Sequence, residues 1–215
     1  ETHPDDRITN LDAMTYCANP VTVEMQKKKW GDRYTFVKGD IRDASVVANV
    51  MKDKDMVVHF AAESHVDRSI DNPSIFLESN ILGTYTLLNS ALENGGIRFH
   101  HVSTDEVYGS LELNSNDKFY EERAFSPRSP YSASKAASDH LVSSYFHTYG
   151  LPVTISNCSN NYGPYQFPEK VIPLFILRLM RDLPIPVYGD GMSVRDYLFV
   201  RDHCRAIDMI LTDGR

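Results

Sequence analysis

Apolar, β-branched residues gather in four short runs, at 34–38, 56–60, 97–103 and 152–157, each long enough for a strand buried on both faces. Between the runs the apolar positions change to helical spacing. Stretch 43–54 carries Val47, Val50 and Met51. Stretch 74–94 carries Ile81, Tyr85, Leu88 and Leu92 and ends on Gly95-Gly96, and 136–149 carries Leu141, Val142, Tyr145 and Phe146 and ends on Gly150. Residues 7–11, closed by Asp12, read as a further strand. Strands separated by helices run parallel with right-handed crossovers, so the expected fold is α/β, a doubly wound parallel sheet of Rossmann-like type. Ligands then gather beyond the carboxyl ends of the strands. From Phe167 the pattern loosens into Pro168, Pro173, Pro184 and Pro186 with a Gly189-Asp190-Gly191 turn, which predicts part of a smaller substrate-binding lobe. The expected division is a Rossmann-like domain over 1–166, the second lobe over 167–194 and a return to the first domain over 195–215. The first strand read here behaves as a second strand, because no Gly-rich strand and turn precede it; truncation is the expectation. No internal repeat or low-complexity tract breaks the chain.

Charge narrows the partners. A formal net charge of −7 argues against nucleic acid and against an anionic membrane surface, since both demand a basic face. No apolar run approaches the roughly 18 residues a membrane span needs. Cys17, Cys158 and Cys204 lie far apart without CxxC or Cys/His spacing, so neither a metal site nor a disulfide framework is expected and a reducing, cytoplasmic setting fits.

Two constellations can carry chemistry. Tyr131 and Lys135 lie in Tyr-Ser-Ala-Ser-Lys, which sets both side chains on one face of a helix, one turn apart. An ammonium near a phenol favours the phenolate, and the expectation is a phenol pKa lowered toward neutrality, as a proton acceptor requires. Ser129-Pro130 supplies an N-cap and a first helical residue. A chance Tyr and Lys on a surface helix is the other reading of the spacing. The second constellation, Ser103-Thr104-Asp105-Glu106-Val107-Tyr108-Gly109, follows directly on a buried strand. Two acids in a closed pocket repel and desolvate one another, raising at least one carboxyl pKa so that one serves as acid and the other as base. A solvated turn with Asp105 as a helix cap remains open on sequence grounds.

Taken with the segment from His59 to Ser69 (His-Phe-Ala-Ala-Glu-Ser-His-Val-Asp-Arg-Ser), the segment from Cys158 to Gln166 (Cys-Ser-Asn-Asn-Tyr-Gly-Pro-Tyr-Gln) and Pro168-Glu169-Lys170, these blocks closely resemble the dTDP-glucose 4,6-dehydratases, a branch of the extended short-chain dehydrogenases. The resemblance runs from Asn10-Leu11-Asp12 to Asp202-His203. It implies NAD as cofactor: Asp12 on the ribose hydroxyls, Asp40 and Ile41 beside the adenine, Phe60, Ala61, Ala62, Glu63 and Ser64 along the cofactor, and Ser79, Tyr131, Lys135 and Asn161 completing the contacts. On the substrate side, a dTDP-sugar, it implies Ser64, Thr104, Asn160, Lys170, Val171, Pro186, Val187, Tyr188 and Arg195, with Lys170 and Arg195 on the diphosphate. It also implies a homodimer, and that a C-terminal part of the sugar lobe is lacking. One departure stands out: the family usually has Arg where this chain has Asn157, so a charge interaction behind the pocket is expected to be replaced.

The implied reaction is oxidation, elimination and reduction on one NAD, giving a 4-keto-6-deoxy sugar nucleotide. Tyr131, held by Lys135, takes the C4 hydroxyl proton with Thr104 bonded to the same oxygen; Glu106 removes the C5 proton; Asp105 protonates the leaving C6 hydroxyl. A UDP- or GDP-sugar 4,6-dehydratase would keep the acids, and a nucleotide-sugar 4-epimerase would need only the Tyr/Lys pair. An inactive fragment or binding relic is the reading outside enzymes.

Overall fold

A computed structural model describes residues 3–214. The chain opens with β1 (Ile8–Asp12), α1 (Pro20–Trp30) and β2 (Tyr34–Lys38), the two strands paired in parallel from Ile8 opposite Tyr34 to Asp12 opposite Lys38. Asn19 caps α1 by accepting from the Val21 N–H, and Asp43 caps α2 (Ala44–Met51) by accepting from Ser45 and Val46 N–H. Then come β3 (Met56–His59), α3 (Val66–Asp71) and α4 (Pro73–Phe76), which runs through a π turn at Leu77–Leu82 into α5 (Gly83–Glu93). β4 (Arg98–Thr104), a 3₁₀ turn at Asp105–Tyr108, α6 (Pro130–Tyr149) and β5 (Val153–Cys158) follow. β3, β4 and β5 form a parallel sheet with β4 central. The chain closes with β6 (Asn160–Tyr162), α7 (Val171–Leu179), β7 (Tyr197–Phe199) and α8 (Val200–Asp213), β6 and β7 again pairing in parallel. Every ladder among the described residues is parallel, which is the α/β Rossmann-like arrangement expected from the alternation of periods.

The core forms where α2, α5 and α6 meet β4. Val47 and Met51, Leu88 and Ala91, and Val142 and Tyr145 close over Phe99, which is fully buried. The guanidinium of Arg98 at the start of β4 donates to the carbonyls of Leu211 and Gly214 and shares that of Ile210 with the Gly214 N–H, tying the end of α8 to the sheet. β4 is less apolar than its burial suggests: His100 and His101 are both fully buried within it. His100 is satisfied from β5, with Nδ1 at 2.9 Å from Thr154 Oγ1 and Nε2 at 3.1 Å from Ser156 Oγ. Burial pulls its imidazole down to about 4, so it is neutral in the sheet.

Two departures from the sequence reading have physical causes. The helix expected as one stretch over 74–94 is interrupted by the π turn, which swings Asn80 inward where it is 1% exposed. Helices α1 and α7 were not anticipated, and neither buries a residue fully. α8 does carry a readable stripe, with His203 and Ile207 buried on one face. Among the described residues no helix is long and apolar enough to cross a membrane.

Candidate active site

Because the strands run parallel, their carboxyl ends carry Asp12, Asp40, the segment from Phe60 to Ser64, Thr104 and Cys158. Thr104 is the last residue of β4 and the cap of the 3₁₀ turn, its Oγ1 accepting from the Glu106 N–H at 3.3 Å. The turn ends on Gly109 with φ +90°, where a Cβ would lie 2.5 Å from the Ser126 carbonyl oxygen. Only glycine meets both conditions. Beneath it Val107 and Tyr108 pack on Ala136, with Tyr108 stacked on Phe119 at 5.6 Å and edge-on to Phe125 at 5.3 Å. The acids therefore ride on a turn whose other face is fastened to the protein.

Asp105 and Glu106 are both half-buried, and burial is the first cause that pushes each carboxyl above its ordinary range. At Glu106 the charge of Asp105 adds to the rise, while Arg195 and Lys170 oppose it. At Asp105 the Thr104 hydroxyl and Arg195 oppose burial and the charge of Asp196 reinforces it. Mutual repulsion thus ranks behind desolvation. These fields also place Arg195 and Lys170, more than sixty residues on in sequence, within reach of the acid turn.

Ser129 and Ser132 form a reciprocal capping box, and Pro130 occupies the first turn, so α6 starts one residue before Tyr131. Tyr131 is buried with its ring edge-on to Phe76 at 6.4 Å. The expected lowering of its phenol by Lys135 is not what the structure shows. Burial and then the charge of Glu106 push the phenol up, and the Thr104 hydroxyl bond pulls it down. Lys135 has turned away: its Nζ donates to the Val102 carbonyl at 2.9 Å and lies 3.3 Å from His101 Nε2. Burial brings this ammonium down to about 8.

The residues assigned to a dinucleotide fall into two groups. Asp12 is exposed at the end of β1, its Oδ1 accepting from Met14 N–H at 2.7 Å in an Asx turn, and Ala61 and Ala62 present small side chains after β3. Phe60 is exposed beside them, and Ser79 is half-buried on the π turn. A carboxylate and a stretch of small residues at two strand ends, with a Tyr/Lys pair at the start of α6, fit a dinucleotide. The second group is engaged otherwise. Asp40 is held by Arg42, Nη2 to Oδ2 at 2.7 Å, which keeps its carboxyl below the usual range, and Ile41 packs into the core against Gly83. The Asn161 side chain joins Cys158 Sγ, the Ser159 carbonyl and His203 Nδ1. Glu63 is buried, its backbone clamped by Asn80, which accepts from the Glu63 N–H at 2.8 Å and donates to its carbonyl at 3.0 Å.

On the substrate side, Lys170 Nζ donates to the Ser64 carbonyl at 3.1 Å, Asn160 is half-buried in β6, and Val171 opens α7. Pro186 is half-buried while Val187 and Tyr188 are exposed, and among the described residues no hydrogen bond or ring contact joins them to the acid turn. Sequence reasoning missed four side chains that organise this region: Asn80, His101, Asp139 and Tyr16. Tyr16 donates to Glu169 Oε1 at 2.7 Å, with the Arg68 guanidinium 3.6 Å over its ring, tying the segment after β1 to the one before Lys170. The available signal was polarity at positions where the period demands an apolar residue, as at Asn80 and Asp139. Among the described residues no cluster of His, Cys, Asp or Glu is arranged to hold a metal ion.

Comparison with known proteins matches residues 3–215 to the family described as GDP-mannose 4,6 dehydratase. A dTDP-glucose 4,6-dehydratase of Xanthomonas campestris pv. campestris is 51% identical over 220 residues, covering 97% of this chain and 62% of that protein. The crystal structure of a Streptomyces venezuelae dTDP-glucose 4,6-dehydratase with NAD and TYD bound superposes with a TM-score of 0.92 at 48% identity, covering 98% of this chain and 64% of that one. A UDP-glucuronic acid 4-epimerase from Bacillus cereus, in complex with UDP-glucuronic acid and NAD, reaches a TM-score of 0.88 at 25% identity, over 97% of this chain and 66% of that one. The chain thus spans somewhat less than two thirds of the length of the relatives it matches.

Proposed function

The chain belongs to the GDP-mannose 4,6 dehydratase family, and from that premise we propose that the protein carrying it is an NAD-dependent hydro-lyase converting dTDP-glucose to dTDP-4-keto-6-deoxyglucose. The observation that carries this reading is the half-buried Asp105–Glu106 pair on a fastened turn beside Tyr131, with Lys170 and Arg195 in electrostatic reach. A 4-epimerase needs a proton acceptor at C4 but no such acids. The nucleotide is read from the relatives, which are named dTDP-glucose 4,6-dehydratases at about half identity.

Asp12, Ala61, Ala62, Tyr131 and Lys135 would hold the dinucleotide, which when bound supplies the hydride acceptor of the first step and the hydride donor of the last. Tyr131 Oη accepts the proton of the C4 hydroxyl while Thr104 Oγ1 bonds the same oxygen. A phenol raised by burial and a carboxylate needs positive charge nearby to act as a base near neutrality; the Lys135 ammonium one helical turn on would supply part of it, and the oxidised cofactor when bound would add to it. With C4 a ketone, the C5 hydrogen is acidic and Glu106 removes it. Asp105, whose carboxyl burial pushes above its ordinary range, gives its proton to the C6 oxygen, which leaves as water. Lys170 and Arg195 face the diphosphate and reverse the acidic field of the chain locally. Segment 167–194 is read as part of the sugar-nucleotide lobe, and 195–215 as the return to the dinucleotide domain. A cytoplasmic homodimer accords with the free thiols of Cys17, Cys158 and Cys204 and with exposed Leu82, Tyr85, Phe146 and Tyr149 on α5, α6 and the turn before them.

The test is incubation of the enzyme with dTDP-, UDP- and GDP-hexoses in turn, followed by alkali and absorbance of the 4-keto chromophore. Only dTDP-glucose should give it at full rate; a signal confined to another nucleotide, or epimer formation without it, sinks the assignment. A separate expectation concerns Asp12→Ala, which removes both the hydrogen bonds to a ribose and the repulsion of a 2′-phosphate. NAD affinity should fall by about tenfold or more while NADP affinity falls less, as read by fluorescence titration. Equal losses would show that Asp12 does not face the ribose.

A further inference from the structure

Behind the Tyr131–Lys135 pair lies a buried polar chain. His101 Nε2 sits between two groups of α6, 3.3 Å from Lys135 Nζ on one side and 3.3 Å from Asp139 Oδ1 on the other. Asp139 is 2% exposed, and its Oδ2 accepts from Ser103 Oγ at 2.9 Å and from Asn157 Nδ2 at 3.0 Å. Asn157 donates also to the Thr104 carbonyl at 3.3 Å, so the chain of contacts runs from Lys135 to the residue that caps the acid turn. Asn157 thus meets Asp139 with a neutral amide and brings no compensating charge.

A buried ammonium persists only with a counter-charge or a full set of acceptors. Lys135 has one backbone acceptor, Val102 O, and the ring nitrogen. A single Nε2 cannot accept from Nζ and donate to Oδ1 at once. With Nε2 as acceptor, His101 Nδ1 and Asp139 Oδ1 are left without hydrogen-bond partners, and these are two of the few buried side-chain atoms in that condition among the described residues. The geometry is that of a charge held across a neutral spacer.

We propose that Asp139 is a positioning residue, the counter-charge that acts across His101 to keep Lys135 an ammonium lodged against β4 through the working pH range. The proposal rests on the reading of Tyr131 and Lys135 as the proton-accepting pair. The groups that face Lys135 are Asp139 from its own helix, His101 from β4, His59 from β3 and Cys158 from β5. Burial drives both imidazoles far below their ordinary value and the Cys158 thiol above its own, so all three are neutral near pH 7. Of the four, Asp139 is the group whose ionised form holds a proton on Lys135. Burial raises its carboxyl, while the bonds from Ser103 and Asn157 and the ammonium itself hold it down.

The sign follows. Removing the negative charge lowers the Lys135 pKa, and the ammonium is then lost at lower pH. The test is single-turnover absorbance at the NADH band on mixing the full-length enzyme with dTDP-glucose across pH, for wild type and Asp139→Asn. The alkaline limb of the oxidation rate should move down by about one pH unit or more, with rates below the limb retained within a few fold. If Asp139→Asn does not accumulate as folded protein, Asp139→Ser, which also removes the charge, carries the same expectation, while His101→Gln, which keeps the Asp139 charge and whose amide can accept from Nζ and donate to Oδ1 together, should keep the limb near wild type. A superimposable Asp139→Asn profile, with Lys135→Met unable to oxidise, overturns the role of Asp139 and leaves the Tyr131–Lys135 reading standing. A Lys135→Met enzyme that oxidises normally overturns both.

Discussion

Tyr131→Phe in the full-length enzyme should lower turnover by at least about a hundredfold while leaving the fold and the NAD content intact. The ring stays wedged edge-on to Phe76, the capping box of Ser129 and Ser132 does not involve the phenol, and only the hydroxyl that meets Thr104 is lost. The loss should fall on the first oxidation, so stopped-flow mixing with dTDP-glucose should show the NADH band rising slowly. Near-native turnover would mean that another group takes the C4 proton, and burial of Tyr131 would then be a matter of packing alone.

The acid pair separates the steps in the opposite sense. Glu106→Gln and Asp105→Asn should each reduce bound NAD promptly on mixing yet release 4-keto-6-deoxy product more slowly by about a hundredfold or more. The turn itself should survive, because Thr104 Oγ1 receives the backbone N–H of Glu106 and not its side chain, and because Val107, Tyr108 and Gly109 fix the other face. A purely structural role predicts a different pattern: stability lost on the order of 1 kcal/mol, with oxidation and elimination impaired alike. If both variants eliminate at the wild-type rate, the pair is not the elimination machinery and the 4-epimerase reading moves ahead.

Strands β1 to β5 and three of the helices were legible because short apolar runs and 3.6-residue spacing leave plain patterns, although of these strands only β4 is largely buried. Strands β6 and β7, three residues each, were not anticipated. The positions of Tyr131, Asp105 and Glu106 followed from the same logic, as residues just beyond strands or at a capped helix start. What the pattern concealed was polar and internal. His100 and His101 sit in β4 where an apolar run was read, because neighbouring hydroxyls and Lys135 give each ring a partner. The direction of Lys135 could not be read from YxxxK spacing, which fixes the face of the helix but not whether Nζ reaches the phenol or the Val102 carbonyl. Asp40 and Asn161 were legible as polar groups near strand ends; that Arg42 and His203 would occupy them depends on residues that the spacing does not connect.

The π turn at Leu77–Leu82 divides one continuous rod into two angular phases. Each residue of an α-helix advances by about 100°, so one residue too many rotates everything before it by that amount relative to everything after it. Phe76, on the early side, faces Tyr131; Leu87, Leu88 and Ala91, on the late side, face the core. Asn80 lies in the dislocation itself, free to hold Glu63 and Ser134 without belonging to either stripe. No single helical wheel can be drawn through 73–93, and a redesign that treats it as one amphipathic element would put a correct pattern on the wrong side of half the helix.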